Sequence, residues 1–460
     1  MRQPPRVIPQ KKPADPGAPS VAREIERRWR ASIKVLPVSD GTWCYSRRGA
    51  GADPAQGWKI HLSATVLSAS EVLSRAAHVL LPKGVLFKAP LGLEFLNELN
   101  SGLPHFSQVG KFLTIYPRST AEALDLGAAL HAATRDLRGP EIPFDKRYRP
   151  KSIVYYRYGA FGPTRNDDAG AGLLRDPAGK AHEDRRAAGC AVPSWIEDPF
   201  GKFRAKSPRP RGPIGEDYLA FKAIAQRGKG GVYEALDLSV SPARLVILKE
   251  GRRQGEVDLL GRDGYARVRN EARLLRLLRR AKISVPELYA EFTQNGNRYL
   301  VLEKIPGRPL LPRRRVQPTN PAWPRAQKIL DQALPLLAQV HAAGWVWRDC
   351  KPSHIFMHGG AMGLIDFEGA CRVKDTRVLP WSSPNYGPPI YERALARRPG
   401  TLEDDYGLGV IAFQFGTGEF PPAEQRRRAR VYKQTRCPDA LRTRIETLLQ
   451  LSAPVAGRVS

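Results

Sequence analysis

Between residues 56 and 137 the chain changes its hydrophobic rhythm several times. Residues 58–62 (WKIHL), 85–87 and 112–116 (FLTIY) read as short strands, and they alternate with helical stretches over residues 70–81 and 120–137. Together they predict an α+β domain over residues 21–162. Residues 1–20 are rich in Pro, Lys and Arg without apolar periodicity and read as a flexible arm. Residues 163–213 are crowded with Gly, Pro, Asp and Arg around one apolar island at Trp195 and Phe200. A loop of that length is uncommon inside a compact domain, so it reads as a connector that packs partly against its neighbours.

From residue 214 the order of elements is different. Residues 218–248 predict two strands joined through glycines, residues 268–280 a basic helix, and residues 299–303 a further strand. That order opens a second, nucleotide-type domain. A chain of 460 residues with 42% hydrophobic side chains has the material for two or three cores.

The formal charge of +29 favours polyanions and acidic or phosphorylated peptides as partners. Nucleic acid is not expected: there is no paired Cys/His finger, no aromatic-rich RNA-binding signature and no isolated basic helix to read a groove. Cys44, Cys190, Cys350, Cys371 and Cys437 are scattered and odd in number, which fits neither a disulfide framework nor a zinc site and implies a reducing compartment. With no apolar stretch of signal-peptide type and no run of membrane-spanning length, the expected location is the cytoplasm, with no membrane partner.

Five features of the second half occur in the order a protein kinase needs. In RGKGGVYEA, Gly228, Gly230 and Gly231 allow backbone amides near phosphates and Val232 can cover a purine, although a glycine hairpin turn alone explains such a stretch equally well. Lys249 in LVILKE and Glu271 on the basic helix form the second feature, an ammonium for the α and β phosphates held by a carboxylate. In WRDCKPSHIF, Asp349 would orient the attacking hydroxyl and take its proton, and Lys351 would steady the γ-phosphate. In LIDFEG, Asp366 ends an apolar strand and suits Mg²⁺. Asp405 in DDYGLG would cap the catalytic loop from a buried helix, and Glu303, at the end of its strand, completes the expected nucleotide-binding set. An isolated pair of this kind is usually structural; the ordered set is not. The expected domain is bilobal over residues 214–460, with lobes at about 214–305 and 306–460, using ATP or another nucleoside triphosphate.

One position departs from the kinase pattern. Five residues after Asp349, where kinases carry an Asn that holds a second metal, this chain has His354. Imidazole is a poor partner for Mg²⁺, which leaves a one-metal site, a site accepting Mn²⁺ or an impaired kinase; the presence of Lys249, Glu271, Asp349 and Asp366 favours a working one.

Residues 21–162 need a separate explanation. Lys59 and His61, two apart on one strand, share a face, and Lys88 ends another strand. Lysines and an imidazole can supply the base, enolate-stabilising cation and acid that phosphate elimination requires, with Lys111, Arg147 and Arg157 to hold the dianion. Basic residues on strands are ordinarily solvated, so residue types alone do not decide the matter.

The strings QGWKIHLSAT, GVLFKAP, GKFLTIYP, DKRYRPKSIVYYRYGAFG, RDPAGK and GYARVRNEARLL give the chain a resemblance to class III and class IV lanthionine synthetases, over their lyase and kinase portions. That resemblance implies a phosphothreonine-lyase-like α+β domain ahead of the kinase. It implies phosphorylation of Ser and Thr in a ribosomal precursor peptide carrying a leader, then elimination to dehydroalanine and dehydrobutyrine. It also implies Lys88 as the α-proton base, His61 as the acid for the leaving phosphate and Lys59 as an enolate or phosphate contact. The family continues into a cyclase, which is expected to be absent here, so that ring closure falls to a separate protein, and a separate cyclase or a decarboxylase is the expected kind of partner. The leader is expected to dock on the basic helix over residues 267–280 or in the connector, and a homo-oligomer is compatible with the sequence. Two other readings stand beside this one: a kinase for proteins or small molecules with a phospho-binding N-terminal domain, and a pseudokinase scaffold for an acidic peptide.

Overall fold

The computed structural model describes residues 18–161, 172–184, 192–201, 213–312, 322–375, 379, 381, 383–388 and 400–450. Most of the expected arm lies outside the described residues, but helix α1 (Ala18–Ser32) already begins within its last three. After α1 come β1 (Val38–Ser39), β2 (Trp43–Tyr45), β3 (Gln56–Leu62), α2 (Ala69–Leu80), β4 (Leu86–Pro90), α3 (Leu93–Ser101), β5 (Leu113–Tyr116), α4 (Thr120–Thr134), β6 (Lys146–Arg147) and β7 (Val154–Ala160). The strands form one antiparallel sheet in the order β1-β2-β4-β5-β3-β7-β6. The alternation in β3 assigns its two faces: Trp58, Ile60 and Leu62 join a core with Val72, Leu73 and Ala76 of α2 and Leu126 and Leu130 of α4. Lys59 and His61 therefore point to the opposite side. Strand β4 runs on past residue 87 because β2 pairs with it through Lys88↔Tyr45, a long-range partner that local pattern does not reveal.

Part of the connector folds as a hairpin of β8 (Leu173–Arg175) and β9 (Ala181–Glu183), where a loop was expected. Its turn is closed by Asp176, whose carboxylate accepts the Ala178 and Lys180 amides. Phe200 is 1% exposed and stacks on Tyr156 with ring centroids 4.2 Å apart. Burial of an aromatic of this size stabilises by about 1.5–3 kcal/mol, which ties this part of the connector to the first domain.

The second half opens with a five-stranded sheet, ordered β10-β11-β12-β14-β13, from β10 (Tyr218–Arg227), β11 (Gly230–Asp237), β12 (Arg244–Gly251), β13 (Leu288–Gln294) and β14 (Asn297–Glu303). Residues 218–248 thus hold most of three strands rather than two. Helix α5 (Gly264–Arg280) packs on this sheet, its first turn capped by Asp263, whose side chain accepts the Ala266 amide. Beyond it lie β15 (Arg308–Pro309), α6 (Trp323–Ala342), β16 (Trp345–Val346), β17 (Ile355–His358), β18 (Ala361–Leu364), β19 (Cys371–Arg372), α7 (Leu402–Thr417), α8 (Gln425–Gln434) and α9 (Asp439–Leu448). One apolar core, with Val268 and Leu274 of α5, Leu337 of α6, Phe413 of α7 and Ile445 of α9, joins the two lobes. Among the described residues no helix is long and apolar enough to cross a membrane.

Candidate active sites

Three elements bring the first site together between the lobes. Lys249, on β12, sits opposite Val232 of β11 and Leu300 of β14. Its ammonium lies 2.6 Å from Glu271 of α5, 2.8 Å from Asp366 and 3.5 Å from Glu368. Glu271 also accepts the Phe367 amide at 3.1 Å, which locks the segment after Asp366 to α5. Burial would lower the Lys249 pKa, but Asp366 and Glu271 outweigh it and hold the group cationic. Burial would likewise raise Asp366, and Lys249 and His354 outweigh it and keep it ionised. Breaking a buried pair of this kind costs about 3–5 kcal/mol.

The catalytic loop presents Asp349 beside that cluster. Its carboxylate accepts from the Ser383 hydroxyl at 2.8 Å and from the Lys351 ammonium at 3.1 Å, and Lys351 also donates to Ser383 at 2.7 Å. His354 lies between the two acids, Nδ1 3.4 Å from Asp349 and Nε2 3.3 Å from Asp366. Ligand atoms of Asp349, His354 and Asp366 all fall within 4.8 Å of one another, so these three fit a divalent cation. Two carboxylates suit a hard ion, and the imidazole moves the preference toward a softer one.

The capping role expected of Asp405 belongs to its neighbour. Asp404 is fully buried and accepts the Trp347 amide at 2.8 Å, the Arg348 amide at 2.6 Å and His341 Nε2 at 2.9 Å. One residue on a helix is a turn of about 100°, enough to take Asp405 off that face. The three donors hold Arg348 at φ 73°, the left-handed bend that sets the direction of the loop.

The glycines of this region also meet protein atoms. Arg227 pairs with Gly230, so Gly228 and Lys229 form a two-residue turn between β10 and β11. The Gly228 amide donates to the Ser101 carbonyl at 2.9 Å and is thus already used. A Cβ at Gly230 would stand 1.8 Å from the Glu250 carbonyl oxygen, and one at Gly231 2.2 Å from the Tyr233 hydroxyl. Close backbone packing surrounds Gly228 and Gly230, and the Tyr233 side chain packs against Gly231. The Glu303 carboxylate accepts the Glu287 amide at 3.0 Å, three residues along β14 from the position opposite Lys249.

The basic helix expected to receive a leader has several of its arginines engaged. Arg267 is 6% exposed and donates to the Glu256 carbonyl, and Arg276 and Arg279 reach Glu291 at 3.0 Å and Glu287 at 3.5 Å.

A second site lies on the polar face of the N-terminal sheet. Register aligns Lys88, Thr114, His61, Tyr155 and Arg147 in one row across β4, β5, β3, β7 and β6, with Lys59 opposite Arg157 in the next row. Strand spacing places the Cα atoms of Lys88 and His61 about 10 Å apart. The Lys88 ammonium lies 3.9 Å from the Trp43 ring centroid. Arg147 packs over Tyr155 and donates to the Ser152 carbonyl, and Arg157 pairs with Asp184 of the connector.

At the middle of this face is Asp145, a residue the sequence reading did not single out. It contacts His61 Nδ1 and lies 3.3 Å from the Lys111 ammonium. Burial would raise its carboxyl, but Lys111 and His61 hold it well below the usual range. Burial lowers His61 to about 4; Asp145 opposes that shift, and Lys111 and Lys59 add to it. At neutral pH the imidazole is therefore neutral and the carboxylate ionised. Asp145 opens the quoted string DKRYRP, so its neighbourhood was visible but its partner was not. Ser383 was likewise missed; the Ser-Pro pair at 383–384 is its only local signal.

Residues 19–211 match the family described as RamC, N-terminal domain, and residues 224–455 match the protein kinase domain. The chain is 31% identical over 408 residues to a probable SapB synthase of Streptomyces coelicolor, a stretch covering 84% of this chain and 42% of that one. It is 29% identical over 212 residues to serine/threonine-protein kinase C of Synechocystis, covering 44% of this chain and 39% of the kinase. With serine/threonine-protein kinase PknA of Nostoc the identity is 30% over 213 residues, 44% of this chain and 37% of the kinase. The chain therefore spans less than half the length of each of these three relatives.

Proposed function

Because the chain belongs to the protein kinase family and carries a RamC N-terminal domain ahead of its kinase domain, we propose that it is a lanthipeptide-type synthetase working in two steps on a ribosomal precursor peptide. The kinase domain phosphorylates Ser and Thr, and the N-terminal domain eliminates the phosphate to leave dehydroalanine or dehydrobutyrine. The observation that carries this reading is the presence of two separate clusters of buried charge in one chain: Lys249 with its three carboxylates, and the Lys59, His61 and Lys111 group around Asp145.

In the first step Asp349 orients the peptide hydroxyl and takes its proton, from the position where it now holds the Ser383 hydroxyl. Lys249 binds the α and β phosphates of ATP, and Lys351, beside Asp349, steadies the group in transfer. Asp349, His354 and Asp366 would hold the divalent ion, which neutralises phosphate charge when bound.

In the second step the Cα–H and Cβ–O bonds break and a Cα=Cβ bond forms. Lys88, as the neutral amine, takes the α-proton and becomes an ammonium, Lys59 stabilises the enolate, and the phosphate leaves with a proton from His61. Arg147, Arg157 and Lys111 hold the dianion. A neutral His61 must take a proton from water as the phosphate dianion arrives, because a nearby anion favours the charged imidazole. Asp145 then keeps the ring in the orientation that points Nε2 away from itself.

Mass spectrometry of a precursor peptide incubated with the chain, ATP and Mg²⁺ or Mn²⁺ tests both steps. Loss of water at Ser or Thr is expected, and Lys88→Ala should accumulate phosphopeptide instead. Phosphate gain without water loss in the unaltered chain would leave a kinase with a phospho-binding domain, and no mass change would leave a scaffold.

A further inference from the structure

The turn between β10 and β11 carries a charged side chain that the kinase reading does not use. Lys229 points from this turn into the cleft and pairs with Glu368 Oε1, while Glu368 Oε2 is 3.5 Å from the Lys249 ammonium. The two lysines therefore share one carboxylate. Glu368 side-chain exposure is 4%, so the pair forms at the floor of the cleft rather than at its rim.

The backbone of the turn is fixed on both sides. Gly228 N–H donates to the Ser101 carbonyl at 2.9 Å, and the Lys229 carbonyl accepts the Arg252 amide at 2.8 Å. Behind it there is no room: a Cβ on Gly264 would lie 1.8 Å from the Lys229 oxygen. What remains mobile is the four-carbon stem of Lys229, with a compact ammonium at its end. An ammonium one carboxylate away from Lys249, at the tip of the turn above Asp366, is within reach of any phosphate that Lys249 binds.

We propose that Lys229 is a second phosphate-binding lysine of the nucleotide site, paired with Glu368 and transferred to the polyphosphate when nucleotide binds. The charges support an exchange of partners. Lys229 and Lys249 face Glu271, Asp366 and Glu368, so a polyphosphate entering this cleft meets excess negative charge unless a cation moves toward it. When Lys229 leaves, Glu368 keeps its contact with Lys249. The proposal rests on the kinase site described above but concerns binding, not transfer.

Titration calorimetry of the full chain with ATP, ADP and adenosine, each with Mg²⁺, tests it. Lys229→Met is expected to weaken ATP about tenfold or more while adenosine stays within about twofold, since the lost contact is to phosphate alone. Lys229→Arg should restore much of the ATP affinity. Glu368→Gln should tighten ATP binding, because the charge that holds Lys229 away from the polyphosphate is gone. Equal weakening of ATP and adenosine in Lys229→Met would mean a structural role and overturn the proposal, as would unaltered ATP binding. A Glu368→Gln chain that binds ATP no more tightly than the unaltered one would overturn the exchange of partners. If the unaltered chain binds no ATP, the nucleotide-site reading falls with it; if it does, only the Lys229 assignment is at stake.

Discussion

The Gly228 amide donates to the Ser101 carbonyl at 2.9 Å, so the turn above the nucleotide cleft is hydrogen-bonded to the end of a helix in the N-terminal domain. A Cβ at residue 228 would stand 1.7 Å from the Asn100 carbonyl oxygen, where backbone cannot yield cheaply. Gly228→Ala is expected to cost about 2–4 kcal/mol of stability and to weaken ATP binding, because the turn must lift away from its seat. Thermal unfolding and an ATP titration check this. A variant that keeps both the melting temperature and the affinity would show that the contact does not position the turn.

Asp404 and Asp405 should separate clearly. Asp404→Ala removes the acceptor of two buried amides and His341, and about 3–5 kcal/mol is expected to go with it. Asp405→Ala should cost about 1 kcal/mol or less, as it lies off the loop-facing side. Denaturant unfolding of the two variants side by side decides which acid supports the catalytic loop.

His61 gives the N-terminal domain an acid-sensitive window. Its folded value of about 4 lies below the ordinary 6.5, so below pH 6.5 the unfolded chain takes up a proton that the folded one refuses. Stability should therefore fall as pH drops from 6.5 to 4, by about 3 kcal/mol, and level off below. Asp145, with its carboxyl held low, adds its own loss only at more acidic pH. His61→Asn should flatten the curve between pH 6.5 and 4. A melting-temperature profile equally steep in that variant would place the titrating group elsewhere.

Replacing the imidazole in the metal triad should change ion preference. His354→Asn gives the Asp349 and Asp366 pair an oxygen ligand, and the ratio of Mg²⁺- to Mn²⁺-supported phosphate transfer is expected to rise about tenfold. Rates measured with each ion alone provide the check, and an unchanged ratio would mean that residue 354 does not reach the metal.

Much of the kinase cleft was legible because its parts are local. Lys249, Asp349, Lys351 and Asp366 each lie in a short string whose chemistry can be read within a few residues, and the order of the strings supplies the fold. Glu271 needed only a helix period. Asp404 was misread by one residue because two adjacent acids look alike until the rotation of the helix is known. The protein contacts of the glycines were not legible, because their spacing is the same whether they make room for phosphate or for the backbone of Asn100 and Glu250.

The sequence by itself determined two α+β units, the alternation that turns Lys59 and His61 away from the core, and a set of charges ordered along the chain. Tertiary structure alone decided which charges meet: Asp145 with His61 across 84 positions, Lys229 with Glu368, and Ser101 with the turn at Gly228. The reason is physical. Strand and helix periods are set by neighbours in the chain, whereas an ion pair depends on strand register and on the packing of one domain against another, which no local pattern encodes.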